Sequence, residues 1–119
     1  MTLLNNSFKT RTTISALDST NDTDCYVVPK NFSGHVEHVL INNNNSANKH
    51  FTLKYYNKIA NTTTTLISAH VITAKSSESV FTVDKPLYIH AEDKIVIAAE
   101  TADTLTVVIA AKEYYSPNR

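Results

Sequence analysis

Leu87-Tyr88-Ile89-His90-Ala91-Glu92-Asp93-Lys94-Ile95-Val96-Ile97-Ala98-Ala99-Glu100-Thr101-Ala102-Asp103-Thr104-Leu105-Thr106-Val107-Val108-Ile109 is the stretch that decides the fold. Apolar residues return at every second position: Leu87 and Ile89, then Ile95 and Ile97, then Leu105, Val107 and Ile109. A period of two means a pleated strand with one face buried. The runs are separated by short polar corners, Ala91 to Lys94 and Ala102-Asp103. Upstream the same rhythm continues in Ile67, Ala69 and Val71, followed by the corner Lys75-Ser76-Ser77-Glu78 and, after a short strand, by Asp84-Lys85-Pro86. This half predicts an antiparallel all-β domain.

Working towards the N-terminus, strands are expected over Phe8 to Ala16, Cys25 to Pro29, His35 to Asn42, His50 to Asn57, Thr64 to Ala74 and Val80 to Val83. Thr10, Thr12 and Ile14 share one face of the first, and Val39 and Ile41 one face of the third. The asparagine-rich run Asn42 to Asn48 reads as a hairpin tip, and Lys58 to Thr63 as a turn. With Leu87 to Ala91, Lys94 to Glu100 and Thr104 to Tyr114 the total is eight or nine strands at a spacing of roughly ten residues, the signature of an antiparallel β-sandwich or jelly roll. One core is expected from Phe51, Leu53, Ile67, Val71, Leu87, Ile95, Ile97, Val107 and Ile109. No window carries a helical period.

At 119 residues the chain is one domain. Residues 1–7 read as an N-terminal arm, 8–115 as the sandwich and 116–119 as a tail. Eleven basic and eleven acidic residues balance, and they are scattered. Nucleic acid, which needs a basic stripe, is therefore not an expected partner. No apolar run approaches the twenty or so residues that span a bilayer, so no membrane is expected either. The start, Met1-Thr2-Leu3-Leu4-Asn5-Asn6, lacks the basic and apolar regions of a signal peptide, which points to synthesis in a cytoplasm.

There is a single glycine, Gly34. Asn, Asp and Ser are expected to supply the turn conformations that glycine usually takes. Cys25 is the only cysteine, so no internal disulfide is expected. Asp22 and Asp24 beside it disfavour a thiolate, and it reads as a small packed residue.

The five histidines are the plausible metal ligands. On a strand His35 and His38, three apart, would leave opposite faces. His70 and His90 fall on different strands. A zinc site needs three or four convergent ligands, so no metal and no cofactor is expected. Glu92 and Asp93 read as solvating residues at a corner, as do Glu100 and Asp103. No nucleophile with a base beside it is visible, and the expectation is that the chain is not an enzyme.

The tyrosine pairs Tyr55-Tyr56 and Tyr114-Tyr115 each turn one ring in and one out. An outward tyrosine is a rigid amphipathic contact of the kind interfaces use. Leu3 and Leu4 sit on a segment too short to build its own core. Leu3, Leu4, Tyr56, Tyr114 and Tyr115 are accordingly the candidate interface residues.

Taken in order, several segments resemble a known family. They are Ser7-Phe8-Lys9, Tyr26-Val27-Val28-Pro29, Ile41-Asn42-Asn43, Thr52-Leu53-Lys54-Tyr55-Tyr56, Leu66 to Ala74, Lys85-Pro86-Leu87-Tyr88-Ile89, Glu92-Asp93-Lys94-Ile95 and Leu105 to Glu113. Their order and spacing are similar to those of the small β-sandwich virion proteins of tailed bacteriophages, as in marine cyanophages. The chain departs from that pattern in its glycine-poor corners, where Asn, Ser, Asp and Lys stand in. The resemblance implies a virion structural protein, a capsid decoration or cement protein or a neck protein. It would bind other copies of itself and the major capsid, neck or tail proteins, after assembly in a host bacterial cytoplasm. A carbohydrate-binding module of a tail fibre or spike, presenting coplanar tyrosine rings, is the other reading.

Overall fold

The computed structural model describes residues 8–117; the arm expected at 1–7, with Leu3 and Leu4, and the last two residues of the tail lie outside the described residues. Nine strands form among the described residues: β1 Phe8–Leu17, β2 Thr23–Val27, β3 Phe32–Asn43, β4 Lys49–Asn57, β5 Thr62–Ile72, β6 Ser76–Ser79, β7 Leu87–Ile89, β8 Lys94–Ala99 and β9 Leu105–Tyr115. All pairings are antiparallel.

Two sheets face each other. The first has the order β1-β9-β3-β6, with β7 also on β3; the second has the order β2-β8-β4-β5. This is the all-β jelly roll that the strand count predicted. Successive strands mostly change sheet, because a strand that feeds the opposite sheet lets both apolar faces close on one core. The loop after β3 is therefore a crossing between the sheets, in place of the expected hairpin tip. Its Asn43 is buried: Nδ2 donates to the carbonyls of Ala47 and Ile72, each at 3.0 Å, and Oδ1 accepts from the Asn45 amide at 3.0 Å. The Asn45 side chain donates in turn to the Thr104 carbonyl at 2.8 Å. Polar side chains here satisfy the backbone at a point where strands end.

The core joins Val36, Val39, Ile41, Phe51, Leu53, Ile72, Ile89, Ile95, Ile97, Val107 and Ile109, with Leu17 and Val28 at its ends. Of the expected core, Ile67 and Leu87 pack at its margin. Val71 is 54% exposed, and Ile72 is buried in its place. The cause lies in β5: its register against β4 shifts on both sides of Leu53–Ile67, and beyond Ile67 the bulge falls where Ala69 takes a φ of 48°. An extra residue reverses which face the following side chains occupy.

A second bulge, between Val36 and His38 of β3, does the same. His35 and His38 therefore share the outer face of the first sheet, against the expectation of opposite faces. The break is written in the spacing Val36, Val39, Ile41, where one apolar interval is three. The corner expected at Lys75 to Glu78 is largely β6, and the segment expected as a strand at Val80 to Val83 follows it as irregular chain with one isolated bridge, Thr82 to Lys85.

Left-handed backbone falls on Asn31, Asn61, Lys75, Glu92 and Asp103, besides Ala69. Gly34 has no such φ. The sole glycine is needed for space: a Cβ there would sit 3.0 Å from Val28 Cγ2 and 3.1 Å from the Tyr26 hydroxyl.

Candidate functional site

The side chains that could meet a partner gather on the outer face of the first sheet. Phe8 of β1 stands opposite Tyr114 of β9, and His35 of β3 stands opposite Tyr88 of β7. The ring centroids form one row: Phe8 to Tyr114 at 5.3 Å, Tyr114 to His35 at 4.4 Å, His35 to Tyr88 at 4.5 Å. The row crosses four strands, and every centroid distance lies within or at the edge of the range of packed ring pairs. Phe8 is 48% and Tyr88 65% exposed, so both ends of the row are open. Lys112 adds a cation: its Nζ lies 4.8 Å over the Phe8 ring and 3.4 Å from Glu37. Burial within the row lowers the pKa of His35, with Lys112 acting the same way and Glu37 opposing. A neutral ring is thereby favoured between two tyrosines.

At the end of the sandwich Phe8, Lys9, Phe32, Glu113 and Tyr115 line a shallow recess. Tyr115 meets Phe32 edge to face, centroids 5.8 Å apart, and Lys9 Nζ lies 4.6 Å over Phe32. Behind this recess Glu113 is fully buried. Its Oε2 accepts from the Tyr26 hydroxyl at 2.6 Å and from Arg11 at 3.2 Å, and Lys9 Nζ is 3.7 Å from Oε1. Burial first, then the bond to Glu113, pushes the Tyr26 hydroxyl far above its ordinary pKa, so it stays a donor. Gly34 lies opposite Glu113 on β3 and leaves room for the Tyr26 ring. The buried charge is held by two cations and a phenol: Oε2 takes both hydrogen bonds, while the buried Oε1 has only the Lys9 ion pair and no hydrogen bond.

Asp93 corrects an expectation. It is buried, not solvating: its carboxylate accepts from the Lys58 amide at 2.9 Å, the His90 amide at 2.9 Å and the Tyr55 hydroxyl at 2.7 Å. It ties the β4–β5 turn to the corner before β8.

Of the tyrosines singled out in sequence, Tyr114 lies in the aromatic row and Tyr115, 68% exposed, in the recess beside it. Tyr56 is half-buried on the other sheet, where its hydroxyl donates to Asn61 at 2.8 Å and Lys94 lies over its ring. The fold does not bring it to the other two. Phe8, His35 and Tyr88 are not among the interface candidates of the sequence because nothing local marks them as a row; only the pairing of β1, β9, β3 and β7 aligns them. His70 faces Glu78 at 3.4 Å and the Phe51 ring, away from His90, which lines a recess with Asn57, Ile59 and Ala60. Among the described residues no three of His, Cys, Asp and Glu group as a metal site would require. Cys25 is buried, and desolvation pushes its thiol up to about 11.

The chain matches no protein-family model and no curated protein. Among solved structures it is similar to a subunit of the disulfide-linked pili of Bacillus endospore appendages, at 11% identity and a TM-score of 0.50, covering 98% of this chain and 96% of that one. It is also similar to a chain of the virus-like particle of the extra small virus of the prawn Macrobrachium rosenbergii, at 11% identity and a TM-score of 0.52, covering 96% and 82%. At this identity the likeness is one of fold.

Proposed function

We propose that this chain is a structural protein of a virion, a capsid decoration, cement or neck protein, that binds copies of itself and a symmetric lattice of capsid, neck or tail proteins. It carries out no reaction and needs no cofactor, nucleic acid or membrane. It is assembled in a bacterial cytoplasm and works in the particle. The observation that carries this reading is the outer face of the first sheet, where four rings cross four strands and the two outermost, Phe8 and Tyr88, stay exposed. Exposed rigid aromatics are what a protein interface uses. A lattice repeats such a contact many times, and avidity then makes a weak contact sufficient. The jelly-roll fold, similar to chains of a pilus and of a virus-like particle, supports an assembly role.

A glycan platform would want rings in a common plane. Here successive rings are inclined by 40°, 38° and 54°, and they pack on one another. The assembly reading is therefore preferred.

The test compares the parent with Tyr88→Ser, Tyr115→Ser and a deletion of residues 1–6 in sedimentation and virion-binding assays. All three are expected to keep a β-type circular dichroism spectrum. Each of the three is expected to weaken self-association or binding to the particle. A parent that neither self-associates nor binds the particle, or that is absent from a reconstruction of it, overturns the proposal.

A further inference from the structure

We propose that β5 pairs edge to edge with β5 of a second copy of this chain, antiparallel and about a twofold axis, so that two four-stranded sheets become one. The inference rests on the self-assembly reading above and names a surface for it that is separate from the aromatic row.

Among the described residues, each sheet ends in strands whose outer backbone groups lack a ladder partner, and proteins usually guard such edges. Three of the four edges here are guarded. On β1, Lys9 and Arg11 point inward to Glu113, which makes that edge costly to extend. On the opposite side of the first sheet, β6 and β7 are only four and three residues long. β2 is five residues long and bulged, and carries Asp24, which holds Lys94 at 3.0 Å.

The fourth edge is guarded neither by charge nor by shortness; it carries only register shifts against β4, between Thr65 and Ile67 and between Ile67 and His70. β5 is eleven residues long and its only ladder partner among the described strands is β4. From Thr62 to Ala69 it carries no charged residue, no proline and no glycine. Thr62 to Leu66 are all exposed. Four threonines followed by Leu66 and Ile67 suit a pleated strand with neighbours on both sides. The open length ends at Ala69, where the bulge twists the strand and His70 meets Glu78 of β6.

The occupant follows from charge and symmetry. Antiparallel pairing of a strand with its own copy is self-complementary under a twofold axis. Across Thr62 to Ser68 it sets no like charges against each other, and it allows threonine to face threonine. The same twofold pairing through β1 would bring together two copies of Lys9 and Arg11.

The experiment uses the full chain by itself. Sedimentation velocity at low and high concentration is expected to show a parent that passes from monomer to dimer. Thr64→Lys and Leu66→Lys, which set like charges across the axis, are expected to stay monomeric with unchanged melting temperatures. Hydrogen exchange of the parent is expected to show amides of residues 62–68 gaining protection on concentration; this needs no variant and decides the matter should the lysines disturb folding. A parent that stays monomeric, a dimer that survives both lysines, or open chains built by β5 on another strand would each overturn the proposal. A monomer that still binds virions sinks this inference alone. A β5 dimer that does not bind them leaves it standing and sinks the virion reading.

Discussion

β9 and β5 are each eleven residues long and each is rich in β-branched and apolar residues, yet they meet opposite fates. β9 lies between β1 and β3, and its alternation is complete: Leu105, Val107, Ile109, Ala111 and Glu113 are all buried. Among the described strands β5 has one neighbour, and it buries only Ile72 fully. The difference teaches that an apolar pattern proposes a face, while the number of neighbouring strands and the sheet opposite decide whether that face is covered. Burial follows position in the sheet order as much as side-chain chemistry.

The strongest way to break this comparison is to truncate the same kind of side chain on both strands. Ile109→Ala should destabilise by about 2–5 kcal/mol, because it opens a cavity in a closed core. Val71→Ala on β5 should stay within about 0.5 kcal/mol, as for an exposed position. Chemical denaturation of both variants checks this, and similar losses would mean that β5 is covered.

Alkali should act on the second sheet through β2. The Cys25 thiol is held protonated up to about 11 by burial, against an ordinary value of 9.0. The unfolded chain therefore releases this proton first. Stability from this group is complete below pH 9 and is lost as pH rises towards 11, by about 3 kcal/mol in all. Stability measured across that range should fall, and Cys25→Ala should flatten part of the fall. An unchanged slope would show that the thiol titrates as it does in solution.

Beside β9, Gly34→Ala should cost about 1–3 kcal/mol, since its methyl crowds Val28 and the Tyr26 hydroxyl that holds Glu113. Thermal melting would show it; a neutral result would mean that β2 shifts freely. The smallest effect belongs to the β5 bulge. Ala69→Gly should leave stability unchanged or raise it by up to about 1 kcal/mol, because glycine adopts the φ of 48° without strain. A clear loss would mean that the Ala69 methyl contributes packing.

Much of the fold was legible because period two is a local property. The alternation of Leu105 to Ile109 and of Ile95 and Ile97 marked strands that the structure confirms as core. The corners Ala91 to Lys94 and Ala102-Asp103 were equally plain. The scarcity of glycine pointed to Asn, Asp and Ser in left-handed turns; Asn31, Asn61 and Asp103 fit, no serine does, and Lys75 and Glu92 take the others. Of the residues on the candidate surface, Tyr114 and Tyr115 are the two that the sequence also singles out, from their place at the end of the last strand.

What only the tertiary structure decided has one physical reason: it depends on which strands become neighbours. The bulges that turned Val71 out and put His38 beside His35 arise from register against β4 and β9. The burial of Asp93 and Glu113 depends on partners 35 or more residues away. The row from Phe8 to Tyr88 exists because β1, β9, β3 and β7 lie side by side. The amino-acid order alone determined which residues could line one face of a strand; the pairing of those strands determined which faces meet.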